Sequence, residues 1–170
     1  MIIIISGASH TGKTLLSQKL LEKYKFPYLS LDLLKMGLIR SGNTALTPEN
    51  DRELTPYLWG IVKEIIKTAI ENRQNLIVDG CYIPFDWKKD FDSNYLADIR
   101  CFFIVMTEKY IRRSFSDIIS HENDIEQRLF AEAITEEELI RENNFYLRGA
   151  EEYNNEIILI EDKYQTDIEI

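Results

Sequence analysis

Two cysteines, Cys81 and Cys101, and two histidines are all that the chain offers of those residue types. So few cysteines, with no C-x-x-C pair, exclude the disulfide framework of a small secreted module. Together with the shortage of histidine they also argue against a zinc site. Cys101 lies in an apolar run and reads as core, whereas Cys81 follows Asp79-Gly80 at the end of another. No repeat or low-complexity stretch is visible. No apolar run approaches the length of a membrane span, and the isoleucines before Ser6 are too few for a signal-peptide core. The cytoplasm is therefore the expected compartment, with no membrane partner. Basic residues are also short, 20 Lys and Arg against 29 Asp and Glu, a net charge of −9. That balance argues against a nucleic-acid binder, which normally presents a basic face. It leaves open a polyphosphate ligand, because a phosphate cradle acts locally.

What is present is an alternation of apolar runs and helical patterns within 170 residues, a length that suits one domain, 1–170. Ile2–Ser6, Tyr28–Leu31, Leu76–Asp79, Ile99–Val105 and Ile157–Ile160 are nearly continuous in apolar residues, as strands buried on both faces of a parallel sheet are. Lys13–Tyr24 reads as a helix. Leu54, Tyr57, Leu58, Ile61, Val62, Ile65, Ile66, Ala69 and Ile70 form a helical stripe about four turns long. Thr47-Pro48 and Thr55-Pro56 each resemble an N-cap followed by a first-turn proline, which predicts a short helix and then the long one. Thr135 with Glu138 fits a capping box for a helix to about Tyr153. Ser41-Gly42-Asn43 reads as a break. Strands joined by helical crossovers predict a three-layer α/β/α domain, with ligands at the carboxyl ends of the strands.

Residues 7 to 14, Gly7-Ala8-Ser9-His10-Thr11-Gly12-Lys13-Thr14, match G-x-x-x-x-G-K-[ST] directly after the first strand. Random placement of this composition produces the pattern at a rate of roughly 0.002 per chain. The two glycines permit a tight turn and a close approach to phosphate, and backbone N–H groups of the loop and helix start face the anion. Lys13 can reach the β- and γ-phosphates, and the Thr14 hydroxyl can ligate Mg²⁺. These eight residues are the expected ATP site.

The other strand ends supply the remaining candidates. Asp32 follows strand 2, where a carboxylate can take a proton from an attacking hydroxyl or hold the Mg²⁺ shell, or simply cap the next helix. Lys35 and Arg40 either hold an anionic acceptor or line a solvated helix face. Asp79 ends strand 3 in a Walker-B-type position for Mg²⁺, with Gly80, Cys81 and Tyr82 next to it as acceptor-pocket candidates. After strand 4 come Arg112 and Arg113, about 100° apart on one helix, so at most one enters the site. The polar stretch from about 121 to 134 reads as a short lid, in which Arg128 either stabilises the transferring phosphoryl group or pairs with a neighbouring Glu. The loop after strand 5, Glu161 to Tyr164, is placed to meet the adenine base. Acceptor-binding helices are expected over about 33–60.

With these motifs in place, the chain resembles the P-loop small-molecule kinases, including adenylate, gluconate and shikimate kinases and the zeta-toxin and 2-phosphoglycerate kinase-like proteins. The phosphate loop carries the resemblance most specifically; Asp32, Asp79-Gly80 and the Arg-bearing segment follow by order and position. The resemblance implies a five-stranded parallel sheet in order 2-3-1-4-5, ATP with Mg²⁺, and a lid between strands 4 and 5. Asp32-Leu33-Leu34-Lys35 looks like the Asp-x-Leu-Arg of nucleoside monophosphate kinases, with Lys in place of Arg, and Lys lacks the planar fork. Asp32 also sits where hydroxyl-phosphorylating members keep an acidic base. Three functions follow from these readings: a kinase acting on a small-molecule hydroxyl, with Lys13, Asp32 and Arg128 as catalytic residues; a nucleoside monophosphate kinase; and a nucleotide-binding module without transfer chemistry. The partners expected are ATP and a small-molecule acceptor.

Overall fold

The computed structural model describes residues 1–121, 134–166, 168 and 169. Its centre is β1 (Ile2–Gly7), in which every residue is buried. Alternation along this strand serves two layers. Ile2 and Ile4 pack beneath Leu54, Leu58, Val62 and Ile66 of the long helix α3 (Asp51–Glu71). Ile3 and Ile5 pack beneath Leu16 and Leu20 of α1 (Lys13–Tyr24), with Ile111 and Ile118 of α5 (Glu108–Ser120) in the same layer. A strand covered on both faces needs no polar side, which is why Ile2 to Ile5 can be an unbroken run.

Around β1 the strands β2 (Tyr28–Ser30), β3 (Leu76–Asp79), β4 (Ile99–Met106) and β5 (Glu156–Ile160) complete a parallel sheet in order β2-β3-β1-β4-β5. Every adjacent pair is parallel, with Ile5 beside Asp79 on one side and beside Phe102 on the other. The order inferred from the family resemblance is the order found. The order places the carboxyl ends of β1, β2 and β3 side by side, and these ends carry the phosphate loop, Asp32 and Asp79.

Two details depart from the sequence expectation. Tyr28–Leu31 is not all strand, because Leu31 begins α2 (Leu31–Arg40) and is itself fully buried. The two Thr-Pro pairs do not start two helices. The Asn50 side chain accepts from the Thr47 backbone N–H at 2.8 Å, making a turn, and one helix then runs from Asp51 through Pro56. Pro56 is tolerated close to the helix start, where few intrahelical bonds are lost, and Thr55 back-bonds to the Asp51 carbonyl at 3.0 Å. The capping box at Thr135 is present as read, and α6 (Glu136–Glu152) follows it. A 3-10 turn (Trp87–Asp90) and a short helix α4 (Ser93–Leu96) fill the connection from β3 to β4.

Candidate active site

The loop from Gly7 to Gly12 is shaped by its glycines and by bonds to itself. Gly7 has φ +142°, and a side chain there would meet the Ile104 carbonyl oxygen of β4 at 2.3 Å, so β1 and β4 can close on each other only with glycine at this point. Gly12 and His10 are both left-handed, with φ of +79° and +62°. Thr11 Oγ1 donates to the Ala8 carbonyl at 2.8 Å, and Lys13 Nζ donates to the same carbonyl at 2.6 Å. The lysine therefore folds back over the loop it is meant to serve.

No side chain caps α1, and no acidic residue occupies its first turn. In contrast, Thr107 and Thr135 cap α5 and α6 with their own hydroxyls. The positive end of the helix dipole lies behind the first turn of α1 with no carboxylate of that turn set against it, which suits an anion there. Lys13 and Thr14 are partly exposed, as groups that meet a ligand must be.

Asp79 is 1% exposed. It stands beside Ile5 in register, and Ile5 and Ile77 belong to the layer covered by α1. Strand alternation therefore turns Asp79 toward the helix that begins with Lys13 and Thr14. A buried carboxylate on that side, facing the helix start that follows the phosphate loop, suits a cation brought in on a polyphosphate. Among the described residues no cluster of three His, Cys, Asp or Glu forms a dedicated metal cage. The donor set fits Mg²⁺, which binds through one or two protein oxygens plus phosphate and water.

On the opposite face of the sheet a chain of polar contacts begins at Asp32. Lys35 Nζ lies 2.8 Å from Asp32 Oδ1 and 2.8 Å from the Tyr82 hydroxyl, which donates to Asp51 Oδ1 at 3.0 Å. Three elements meet here, and Gly80 makes the meeting possible. At φ +156°, a side chain on Gly80 would sit 2.6 Å from Leu31 Cβ. Gly80 is thus placed as a packing residue that draws β3 against the start of α2. Tyr82 is only 3% exposed, so it bridges Lys35 and Asp51 from beneath. Burial is the main force raising its hydroxyl pKa far above the ordinary phenol value, with Cys81, Asp51 and Asp32 adding to the shift. The neighbouring Cys81 thiol is pushed up to about 11, chiefly by burial, although part of the residue surface stays open.

Other expected residues lie elsewhere. Arg40 is exposed at the last turn of α2. Five residues past Lys35, it points about 140° away around the helix, so the two do not form one anion clamp. Arg112 is held by Glu108, Glu136 and Glu137 at 2.7 to 3.0 Å, bridging α5 to the start of α6. The Arg113 guanidinium turns to Asp162 and the Tyr110 ring. Residues 122–133 of the expected lid, and Arg128 with them, lie outside the described residues. Tyr164, expected near the base, reaches the phosphate loop itself and donates to the Thr11 carbonyl at 3.2 Å.

Sequence reasoning missed Asp51, Glu142 and Tyr146. Glu142 Oε1 accepts from Ser9 Oγ at 3.4 Å, and the Tyr146 hydroxyl donates to the Cys81 carbonyl at 2.8 Å. Both residues sit on α6, remote from every strand-end motif, so no local pattern marks them. An open groove of about 840 Å³ lined by Lys25, Ile61, Ile65, Thr68 and Leu76 lies at the amino ends of β2 and β3, away from these residues.

No family model and no curated protein matches the sequence. Solved structures do match the fold. Deoxyadenosine kinase from M. mycoides, solved with dCMP and dCDP, is 17% identical with a TM-score of 0.56, over 98% of this chain and 92% of that one. A sugar kinase from Janibacter sp. is 12% identical with a TM-score of 0.54, over 94% and 84%. An uncharacterized protein from Eubacterium ventriosum is 17% identical with a TM-score of 0.50, over 95% and 89%. At such identities the likeness is one of fold: the chain has the architecture of the P-loop kinases, from end to end.

Proposed function

We propose that this chain is an ATP- and Mg²⁺-dependent phosphotransferase that moves the γ-phosphoryl group of ATP to a hydroxyl of a small molecule. The observation that carries the reading is the separation of two carboxylates by the sheet. Asp79 lies on the α1 face with the phosphate loop, and Asp32 lies across the strand ends with Lys35 and Tyr82. A binding module needs the first group alone, whereas transfer to a hydroxyl that must lose its proton uses both.

Backbone N–H groups of the loop and the start of α1 bind and orient the β- and γ-phosphates, and Lys13 leaves the Ala8 carbonyl to join them. Thr14 and Asp79 are the residues that would hold Mg²⁺, which supplies charge neutralisation at the phosphates. Asp32 accepts the proton of the acceptor hydroxyl as the new O–P bond forms and the bond to the β,γ-bridging oxygen breaks, releasing ADP. Lys35 holds the Asp32 carboxylate in place. A lid over about 121–134 with Arg128 completes the proposal, Arg128 serving the charge that spreads over the equatorial oxygens. Arg112 would join the nucleotide only by leaving its glutamates.

Two variants test this. Lys13→Ala should abolish detectable ATP binding by calorimetry together with any ADP release; if both survived, the phosphate-cradle reading would be wrong. Asp32→Asn should lower kcat by about 10² or more with ATP affinity unchanged, as removal of a general base does. A loss of only a few-fold would make Asp32 a positioning or capping residue and shift the reading toward monophosphate transfer, which needs no base.

A further inference from the structure

The second inference rests on the phosphotransferase reading and concerns the charge of the acceptor. Three carboxylates stand near Cys81 and Tyr82. Asp32 comes from α2 and accepts from Lys35; Asp51 comes from α3 and accepts from the Tyr82 hydroxyl; Glu142 comes from α6 and accepts from Ser9 in the phosphate loop. They belong to three separate helices, so the fold brings them together. Their fields overlap there: Asp32 and Glu142 act on Cys81 against the opposing fields of Lys13 and Lys35, and Asp32, Asp51 and Glu142 all act on Tyr146, whose hydroxyl is bonded to the Cys81 carbonyl.

Against these carboxylates stands the ammonium of Lys35, already 2.8 Å from Asp32 and 2.8 Å from the Tyr82 hydroxyl. Lys13, turned to the Ala8 carbonyl, also acts on Cys81 from the donor side, and the remaining described cations of the region are directed elsewhere. Arg40 is exposed on another face of α2, and Arg112 bridges three glutamates. Counted among the described residues, the three carboxylates against Lys35 and Lys13 leave a net charge of minus one, and of minus two once the polyphosphate engages Lys13. Ser6 adds a further polar group on this face, a fully buried hydroxyl with no hydrogen-bond partner among the described residues.

An acceptor bearing phosphate or carboxylate would enter beside the ATP polyphosphate and face three carboxylates, with no guanidinium fork among the described residues turned to receive it. An alcohol meets the same groups as a donor to acceptors, and an ammonium brings three N–H donors and the complementary charge. We infer that the acceptor is an alcohol without any anionic group, and that among such alcohols an ammonium-bearing one is preferred. Nucleoside monophosphates, sugar phosphates and sugar acids are disfavoured by the same field.

The test uses the full chain with MgATP and follows ADP release above the acceptor-free rate. Acceptors are offered in matched sets on one carbon skeleton: glucosamine, glucose, gluconate and glucose 6-phosphate; ethanolamine, ethylene glycol and glycolate; adenosine and AMP. Within any skeleton that is turned over, kcat/KM should fall from ammonium to neutral to anionic member, with about tenfold or more between the ends. Preference for an anionic member overturns the inference and leaves phosphotransfer standing. If calorimetry shows MgATP bound and no member of any class stimulates release, the transfer reading fails and this inference falls with it. Asp51→Asn and Glu142→Gln, each checked by its thermal melt, should raise KM for an ammonium acceptor about tenfold and for its neutral counterpart about twofold or less. Equal shifts for both would show that the carboxylate field does not select the acceptor.

Discussion

Replacing Gly12 by alanine tests the local geometry of the phosphate loop without removing any functional group. Two costs can be worked out. Gly12 sits at φ +79°, ψ +27°, and a left-handed alanine costs about 1–2 kcal/mol. The new Cβ would also lie 1.8 Å from the Tyr164 hydroxyl oxygen and 2.8 Å from the ring carbon that bears it. The ring would have to move. It is half-buried in the layer shared with α1 and α5, and its hydroxyl is bonded to the Thr11 carbonyl. Losing that bond costs about 0.5–1.5 kcal/mol, and repacking an overfilled site costs about 1–3 kcal/mol. Because the ring can share one displacement between these two costs, Gly12→Ala should destabilise by about 2–5 kcal/mol in urea unfolding. In a Tyr164→Ala background the same substitution should cost only the backbone part, about 1–2 kcal/mol, leaving a coupling of about 1–3 kcal/mol. Additive effects in this double-mutant cycle would refute the seating of Tyr164 on Gly12. A cost near zero for Gly12→Ala alone would refute the left-handed loop as well.

Asp90 accepts from Lys63 and from the Trp59 indole, both at 2.8 Å, and these bonds, Lys63 first, hold its carboxyl below the usual carboxylate range. A depressed carboxylate contributes stability above its unfolded value of 3.8 and loses it as pH falls through the folded value. Asp90→Ala should therefore cost about 1–3 kcal/mol at neutral pH in urea unfolding, with the gap from the parent narrowing below about pH 4; a gap that stays constant into acid would contradict the assignment. Cys81, with its thiol raised to about 11, should react slowly with iodoacetamide at neutral pH and progressively faster up to about that pH. Complete labelling within minutes at neutral pH would show that the thiol is not enclosed as described.

Legibility in the sequence followed the range of the interactions. α1 was readable to the residue because its start is set by the phosphate loop and its end by the left-handed Lys25. The capping box at Thr135 was readable because both of its bonds span three residues. The Thr-Pro pairs misled for the same reason that they attract notice: they satisfy a local rule, but Asn50 captures Thr47 and the apolar stripe of α3 carries the helix through Pro56. Arg40 and Lys35 look like partners in a list of cations, yet the helix turns one away from the other.

By itself the sequence determined the strands, the phosphate loop and the rule that function gathers at the strand ends. Each of these depends on periodicity or on spacing within a few residues, and a chain carries that information whatever it later packs against. The resemblance to P-loop kinases rested on the same motifs, and it supplied the strand order that the structure shows. Tertiary structure alone decided which charges face one another. It turned Asp79 toward α1 and Asp32 toward Lys35, occupied Lys35 and Arg112 with carboxylates, seated Tyr164 on Gly12, and brought Asp51 to Tyr82 and Glu142 to Ser9 from distant helices. A Coulomb interaction depends on separation in space and not along the chain, so which charges meet appears only once the helices are in place.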